Sequence, residues 1–133
     1  MPAITAPNAA RTSRKDIATM FLRLASSGDV REAYDRFVSP SFRHHNPYFR
    51  GDAKTLAAGM EENAKQNPGK TFQVEHALED GDLVAVHSRV QLKPGGQEMA
   101  LVHLFRFVGD RIVELWDIGQ PVPADSPNEN GMF

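Results

Sequence analysis

With 133 residues, 41% of them hydrophobic and 24% charged, the chain has the size and composition of one globular domain with one real core. A formal net charge of -2 offers no broad basic surface, which argues against nucleic acid as a partner, and the lack of cysteine excludes disulfides, thiolate catalysis and Cys-ligated metals. No apolar run reaches the roughly 20 residues that span a bilayer, and Met1 to Arg11 has no hydrophobic signal core, so a soluble, cytoplasmic protein without a membrane partner is expected.

Residues 1–12 are small and polar, with Pro2 and Pro7, and read as a disordered lead. Ser13 is placed to cap a helix, with Asp16 three residues on. Ile17, Met20, Phe21 and Leu24 then fall on one helical face, and Gly28 ends it. Asp29 and Glu32 repeat the cap signal. Val30, Ala33, Tyr34 and Phe37 make a second apolar stripe, ended by Pro40. The stretch Phe42-Arg43-His44-His45-Asn46-Pro47 is short, polar and closed by proline, so it reads as an edge strand or extended loop. A third helix starts at Asp52, buries Leu56 and Met60, and breaks at Asn67-Pro68-Gly69.

From Lys70 the period becomes two. Thr71 to Leu78, Leu83 to Leu92, Met99 to Val108 and Arg111 to Ile118 read as strands. Asp80-Gly81, Pro94-Gly95-Gly96 and Gly109-Asp110 are the turn signals between them. Three helices followed by a strand meander predict an α+β domain over 13–121 with an antiparallel sheet. Residues 122–133 read as an extended tail.

Met99, Leu101, Phe105 and Phe107 alternate with Ala100, Val102, Leu104 and Val108, so this strand is apolar on both faces. The helices can cover one face. A second copy of the sheet would cover the other, which predicts a homodimer through the outer sheet face. In the preceding strand Val84, Val86, Ser88, Val90 and Leu92 make the better inner set. A tight turn on Gly95-Gly96 pairs Pro94 with Gln97. That sets Ser88 opposite His103 on the inner face and leaves His87 and Arg89 outside. The last hairpin allows two registers. A two-residue Gly109-Asp110 turn sets Trp116 opposite His103. A three-residue loop with a bulge sets Leu115 there and turns Asp117 inward.

Val102-His103-Leu104-Phe105-Arg106-Phe107, a turn, and Arg111-Ile112-Val113-Glu114-Leu115-Trp116-Asp117 resemble the last hairpin of nuclear transport factor 2-like proteins. With His45-Asn46-Pro47 and Gln120-Pro121, the chain most resembles their SnoaL-like group, named for a polyketide cyclase. The resemblance runs from about Ser13 to Pro121. It implies a cystatin-like cone: a curved antiparallel sheet that encloses a pocket with the three helices. It also implies a cofactor-independent enzyme that takes a proton next to a carbonyl, for aldol-type condensation, cyclisation or isomerisation.

The same resemblance points to particular residues. A cavity aspartate is the base in the cyclases, and Asp117 matches it; limonene epoxide hydrolase-like proteins align a pocket aspartate to the same place. The oxyanion-hole acid of ketosteroid isomerase-like proteins matches His103, and their base matches Asn46. An amide is no base, which disfavours steroid isomerisation. Ser88 and Val90 stand where the epoxide hydrolases carry an Arg-x-Asp pair, which disfavours that mechanism too.

Asp117 is therefore the candidate base; in an apolar pocket its pKa would rise. Its structural reading is a surface carboxylate at a strand end. His103 is the candidate partner that steadies an enolate, or else a core histidine tied to Ser88. His45 is a third catalytic candidate. Alternation turns it away if Asn46 faces in, unless Pro47 distorts the strand. Asn46, His44, Ser88, Phe105 and Phe21 are the candidate substrate-binding set, for a small carbonyl or hydrophobic ligand. Asn46 could equally cap its loop, and the phenylalanines could be plain core. Trp116 reads as core or dimer interface. No metal site is expected, because the histidines lack a paired helical spacing. A binding protein without turnover, or a dimeric scaffold, would use the same pocket.

Overall fold

The computed structural model describes residues 12–133; the expected lead, apart from Thr12, lies outside them. Helix α1 (Arg14–Ser27) starts where Ser13 accepts a hydrogen bond from the Asp16 amide and ends at Gly28, whose φ of 97° is the left-handed C-cap that glycine adopts without strain. Helix α2 (Val30–Phe37) leads directly into strand β1 (Val38–His44). Helix α3 (Ala53–Gln66) is capped by Asp52 through the Thr55 amide. Strands β2 (Thr71–Asp80), β3 (Leu83–Gln91), β4 (Glu98–Val108) and β5 (Arg111–Pro121) follow as a meander.

The sheet order is β1-β5-β4-β3-β2. All pairs are antiparallel except β1 with β5, which is parallel. The second helix stops at Phe37, three residues before Pro40, because Val38 is already extended. Pro40 sits inside β1. An edge strand tolerates it there, and the pairing with β5 breaks register between Val38 and Arg43.

The three helices cover one face of the curved sheet. Ile17, Ala18, Phe21 and Leu22 of α1 pack with Leu56 of α3 on Val84, Val86, Phe105, Phe107, Ile112 and Leu115. Phe21 is fully buried and meets Phe105 edge to face, with ring centroids 5.9 Å apart. Truncation of such a ring costs about 3–5 kcal/mol.

Two registers differ from expectation. In the β3–β4 hairpin the turn is Lys93-Pro94-Gly95-Gly96, closed by the Gly96 amide on the Lys93 carbonyl at 2.9 Å. Proline favours the second position of such a turn, and Gly95, with φ 73°, supplies the left-handed third. The turn is thus one residue earlier than expected, and the register moves by two. Val86 faces His103, and Ser88 faces Leu101. An even shift keeps every side chain on its expected face, so Ser88 and His103 are both inside.

In the β4–β5 hairpin Val108 still pairs with Arg111, across a two-residue turn. A bulge follows: Phe107 pairs with Ile112 but Arg106 with Glu114, which leaves Val113 without a partner on β4. The residue opposite His103 is neither Trp116 nor Leu115 but Asp117.

Candidate functional site

Between the helices and the sheet lies a cavity of about 360 Å³. Leu22 and Ala25 of α1, Leu56 and Met60 of α3, and Phe72, Val90, Leu92, Met99 and Leu101 of the sheet give it apolar walls. Phe49, on the loop after β1, also lines it. Its ring lies over Gly59, where a Cβ would come within 2.4 Å of it. Glycine at this helix position is therefore what lets the loop close down.

One end of the cavity is polar. Bulged β5 points Asp117 inward, and its Oδ1 lies 3.2 Å from His103 Nε2. Its Oδ2 accepts a hydrogen bond from Asn46 Nδ2 at 2.8 Å. The Asn46 amide orientation is settled by its other end, since Oδ1 accepts the Tyr48 amide at 3.0 Å. One N–H of Asn46 is thus spent on Asp117 and the other is left for a ligand. Burial pushes the Asp117 carboxyl upward and is the largest single influence. The hydrogen bond and charge of His103, the bond from Asn46 and the nearby His44 together outweigh it, so the net shift is downward. This reverses the expected rise. His103 Nδ1 and Ser88 Oγ are buried and have no hydrogen-bond partner among the described residues.

Several expected site residues stand elsewhere. His45 lies on the outer side of the sheet, stacked on Trp116 at 5.0 Å, with Nε2 2.6 Å from Glu114 Oε2. Strand alternation holds through His45, and Pro47 does not undo it. His44 is buried but does not line the cavity. Its Nδ1 accepts the Asn46 amide and its Nε2 donates to the Arg50 carbonyl, so both ring nitrogens are spent on the loop. Phe21 and Phe105 belong to the core rather than the cavity wall. Ser88 is wholly buried beneath the lining, and the two-residue register shift removes it from its expected place opposite His103. Asn46, His103 and Asp117 are the expected residues that the fold brings together.

The SnoaL-like domain family matches residues 18–115. The chain belongs to that family. Among solved structures it is similar to a nuclear transport factor 2-like protein of unknown function from Cytophaga hutchinsonii (TM-score 0.67, 15% identity, 84% of this chain and 93% of that one). It is also similar to IdmH, a candidate polyketide cyclase from Streptomyces antibioticus (TM-score 0.64, 24% identity, 82% and 93%). A third similarity is to AclR, a candidate hydroxylase from Streptomyces galilaeus (TM-score 0.66, 23% identity, 80% and 78%). At these identities the likeness is one of fold, the nuclear transport factor 2-like, cystatin-type α+β cone. No curated protein matches the chain.

The SnoaL-like cavity also holds polar groups that sequence reasoning passed over. Lys70, just before β2, donates from Nζ to Asn63 Oδ1 on α3, and both line the cavity. Burial lowers the Lys70 pKa. No strand or helix pattern marks Lys70, because it sits outside either period. Met99 and Leu101 were legible: they share alternation with His103. On the opposite face Glu114, only 6% exposed, is held by Arg43 and His45 and lies 3.5 Å from Arg106. The His45 hydrogen bond is the largest influence that holds its carboxyl below the ordinary range. Among the described residues no cluster of three or more metal-ligating side chains occurs, and no helix is long and apolar enough to cross a membrane.

Proposed function

We propose that this SnoaL-like domain binds a small, largely apolar carbonyl compound and abstracts a proton α to its carbonyl without a cofactor. The observation that carries this reading is the Asn46–Asp117–His103 constellation at one end of a cavity with largely apolar walls. Asp117 is the base. Its lone pairs beyond the two hydrogen bonds can take the proton, and the spare Asn46 N–H can donate to the developing enolate oxygen. His103 orients Asp117 and keeps it ionised, and so acts as a positioning residue. An aldol-type ring closure or a shift of the proton to another carbon would follow from the enolate.

The downward shift of Asp117 narrows the substrate. A carboxylate held ionised is a weak base, so its C–H acid must be strong. A carbon flanked by two carbonyls meets that need, while a simple ketone does not. IdmH, the candidate polyketide cyclase of the same fold, is consistent with such a substrate class.

The test is proton exchange at the α-carbon of ethyl benzoylacetate in deuterium oxide, followed by NMR. The wild-type protein should accelerate exchange, and Asp117→Asn should lower the protein-dependent rate by about 100-fold or more while ligand-induced thermal stabilisation survives. Equal rates in the two proteins would remove Asp117 from the chemistry. The same weak basicity favours a second reading, a binding protein without turnover. That reading predicts ligand-induced stabilisation with no exchange in either protein. A homodimer through the outer sheet face belongs to both readings.

A further inference from the structure

We infer that the cavity is built for a ligand with two functional ends, a carbonyl at Asn46 and Asp117 and an anionic group, such as a carboxylate, at Lys70. This rests on the reading of the cavity as a carbonyl site and adds the class of ligand. Lys70 and Asn63 lie at the opposite end of the cavity from Asp117. The register places Thr71 opposite Gln91, and Gln91 opposite Glu98. Lys70, one residue before Thr71, is therefore level with Gln97, just before the start of β4, whereas His103 is six residues further on. At roughly 3.3 Å per residue this separates the two backbone levels by about 20 Å along the strand. Leu92, Met99, Leu101 and Phe72 line the interval. A chain or small ring system would fill it.

Lys70 is poorly served by the protein itself. Among the described residues the one hydrogen-bond partner of its ammonium is the neutral carbonyl oxygen of Asn63. Among the described residues no carboxylate comes within ion-pairing distance of it. An ammonium three-donor group at a partly desolvated wall, with one donor satisfied, has capacity for an anion. Burial already works against its charge, and a bound carboxylate would offset that cost. Asp117 at the far end, being anionic, repels a carboxylate and so orients the ligand.

The test compares a benzoyl-capped heptanoate with its methyl ester, two probes that share a ketone and differ in terminal charge. Titration calorimetry should show the acid bound about ten-fold more tightly than the ester by wild-type protein, the order expected for one hydrogen bond to a charged group. Lys70→Met should erase that preference, and Lys70→Arg should retain it. Asn63→Asp, which supplies Lys70 with an internal carboxylate, should weaken the acid about ten-fold and leave the ester unchanged. It remains decisive if Lys70→Met does not fold. Equal affinities in wild-type protein, no binding of either probe, or a preference that survives in Lys70→Met and Asn63→Asp would overturn the inference. A borohydride-trapped adduct on Lys70 would also overturn it, in favour of an iminium. Asp117→Asn separates this from the catalytic reading. It should leave the acid bound more tightly than the ester even if proton exchange fails in every protein.

Discussion

His103 and Asp117 face each other directly across β4 and β5 because β5 carries one more residue than its partner between the turn and that pair. The imidazole and carboxylate lie on adjacent strands of a rigid sheet, 3.2 Å apart. A loop would not hold them so firmly. Asn46, from the segment after β1, closes the group from the other side.

The first prediction concerns pH. The folded pKa of Asp117 lies below its unfolded value, so between the two the unfolded chain binds more protons. The stabilisation is complete above the unfolded value, about 3.9, and is lost as pH falls through the folded one. Asp117→Asn should cost about 1–2 kcal/mol at neutral pH, and the gap should close in strong acid. Thermal melts from pH 2 to 8 (about the range a small domain tolerates) would show it. A gap that widened on acidification would contradict the hydrogen-bonded geometry of Asp117.

From its contacts on the outer side of the sheet, His45 is expected to serve stability rather than catalysis. Removing its ring strips Glu114 of its shortest hydrogen bond and Trp116 of its stacked neighbour. His45→Ala should cost about 1 kcal/mol, discounted because half the ring is solvated and Arg43 remains. Urea unfolding measures this loss. Proton exchange should be unchanged within about two-fold, and a hundred-fold drop would return His45 to the active site.

Ser88 offers a test of opposite sign. Its hydroxyl is buried on the inner face and has no partner among the described residues. Ser88→Ala removes an unsatisfied polar atom, so the expected change is neutral or up to about 1 kcal/mol stabilising. A loss greater than about 1 kcal/mol would mean that the hydroxyl does bond in solution, His103 Nδ1 being the acceptor on the same face.

The outer sheet face carries the prediction about assembly. Leu78, Leu83, Val108 and Ile118 are exposed there, Ile118 by 56%. Phe133 from the chain's end covers part of the same face, stacked on His87 at 5.9 Å with the Arg89 guanidinium 4.4 Å from its ring centre. Light scattering should report a dimer for the wild-type chain, and Ile118→Asp should shift it to monomer without loss of helical signal. A monomeric wild type at micromolar concentration would refute the outer-face homodimer.

How much of this was legible beforehand differs from level to level. Element order followed from caps and periods, because Ser13, Gly28 and Asp52 act locally. Inner and outer faces also followed, since alternation survives an even slip, as with Ser88 and His103. Which residues actually touch did not follow. The Pro94-Gly95 turn and the unpaired Val113 are decided by the balance of turn geometry against packing across three strands. His44 and His45 illustrate the same limit. Alternation separates them, but only the fold shows that Glu114 claims one and the Arg50 carbonyl the other. Lys70 is the hardest case, brought to the cavity by tertiary placement alone.

Val113 touches no ligand, yet the character of the cavity depends on its standing outside the ladder. If Val113 were instead drawn into the ladder opposite Arg106, everything after it would slip by one residue and turn to the other face. Trp116 would swing into the hollow and Asp117 out to solvent. An acid–base pocket would become an aromatic one with no side chain exchanged. In this architecture one residue's slip in a hairpin can rewrite chemistry, so relatives should be compared by strand pairing as carefully as by residue identity.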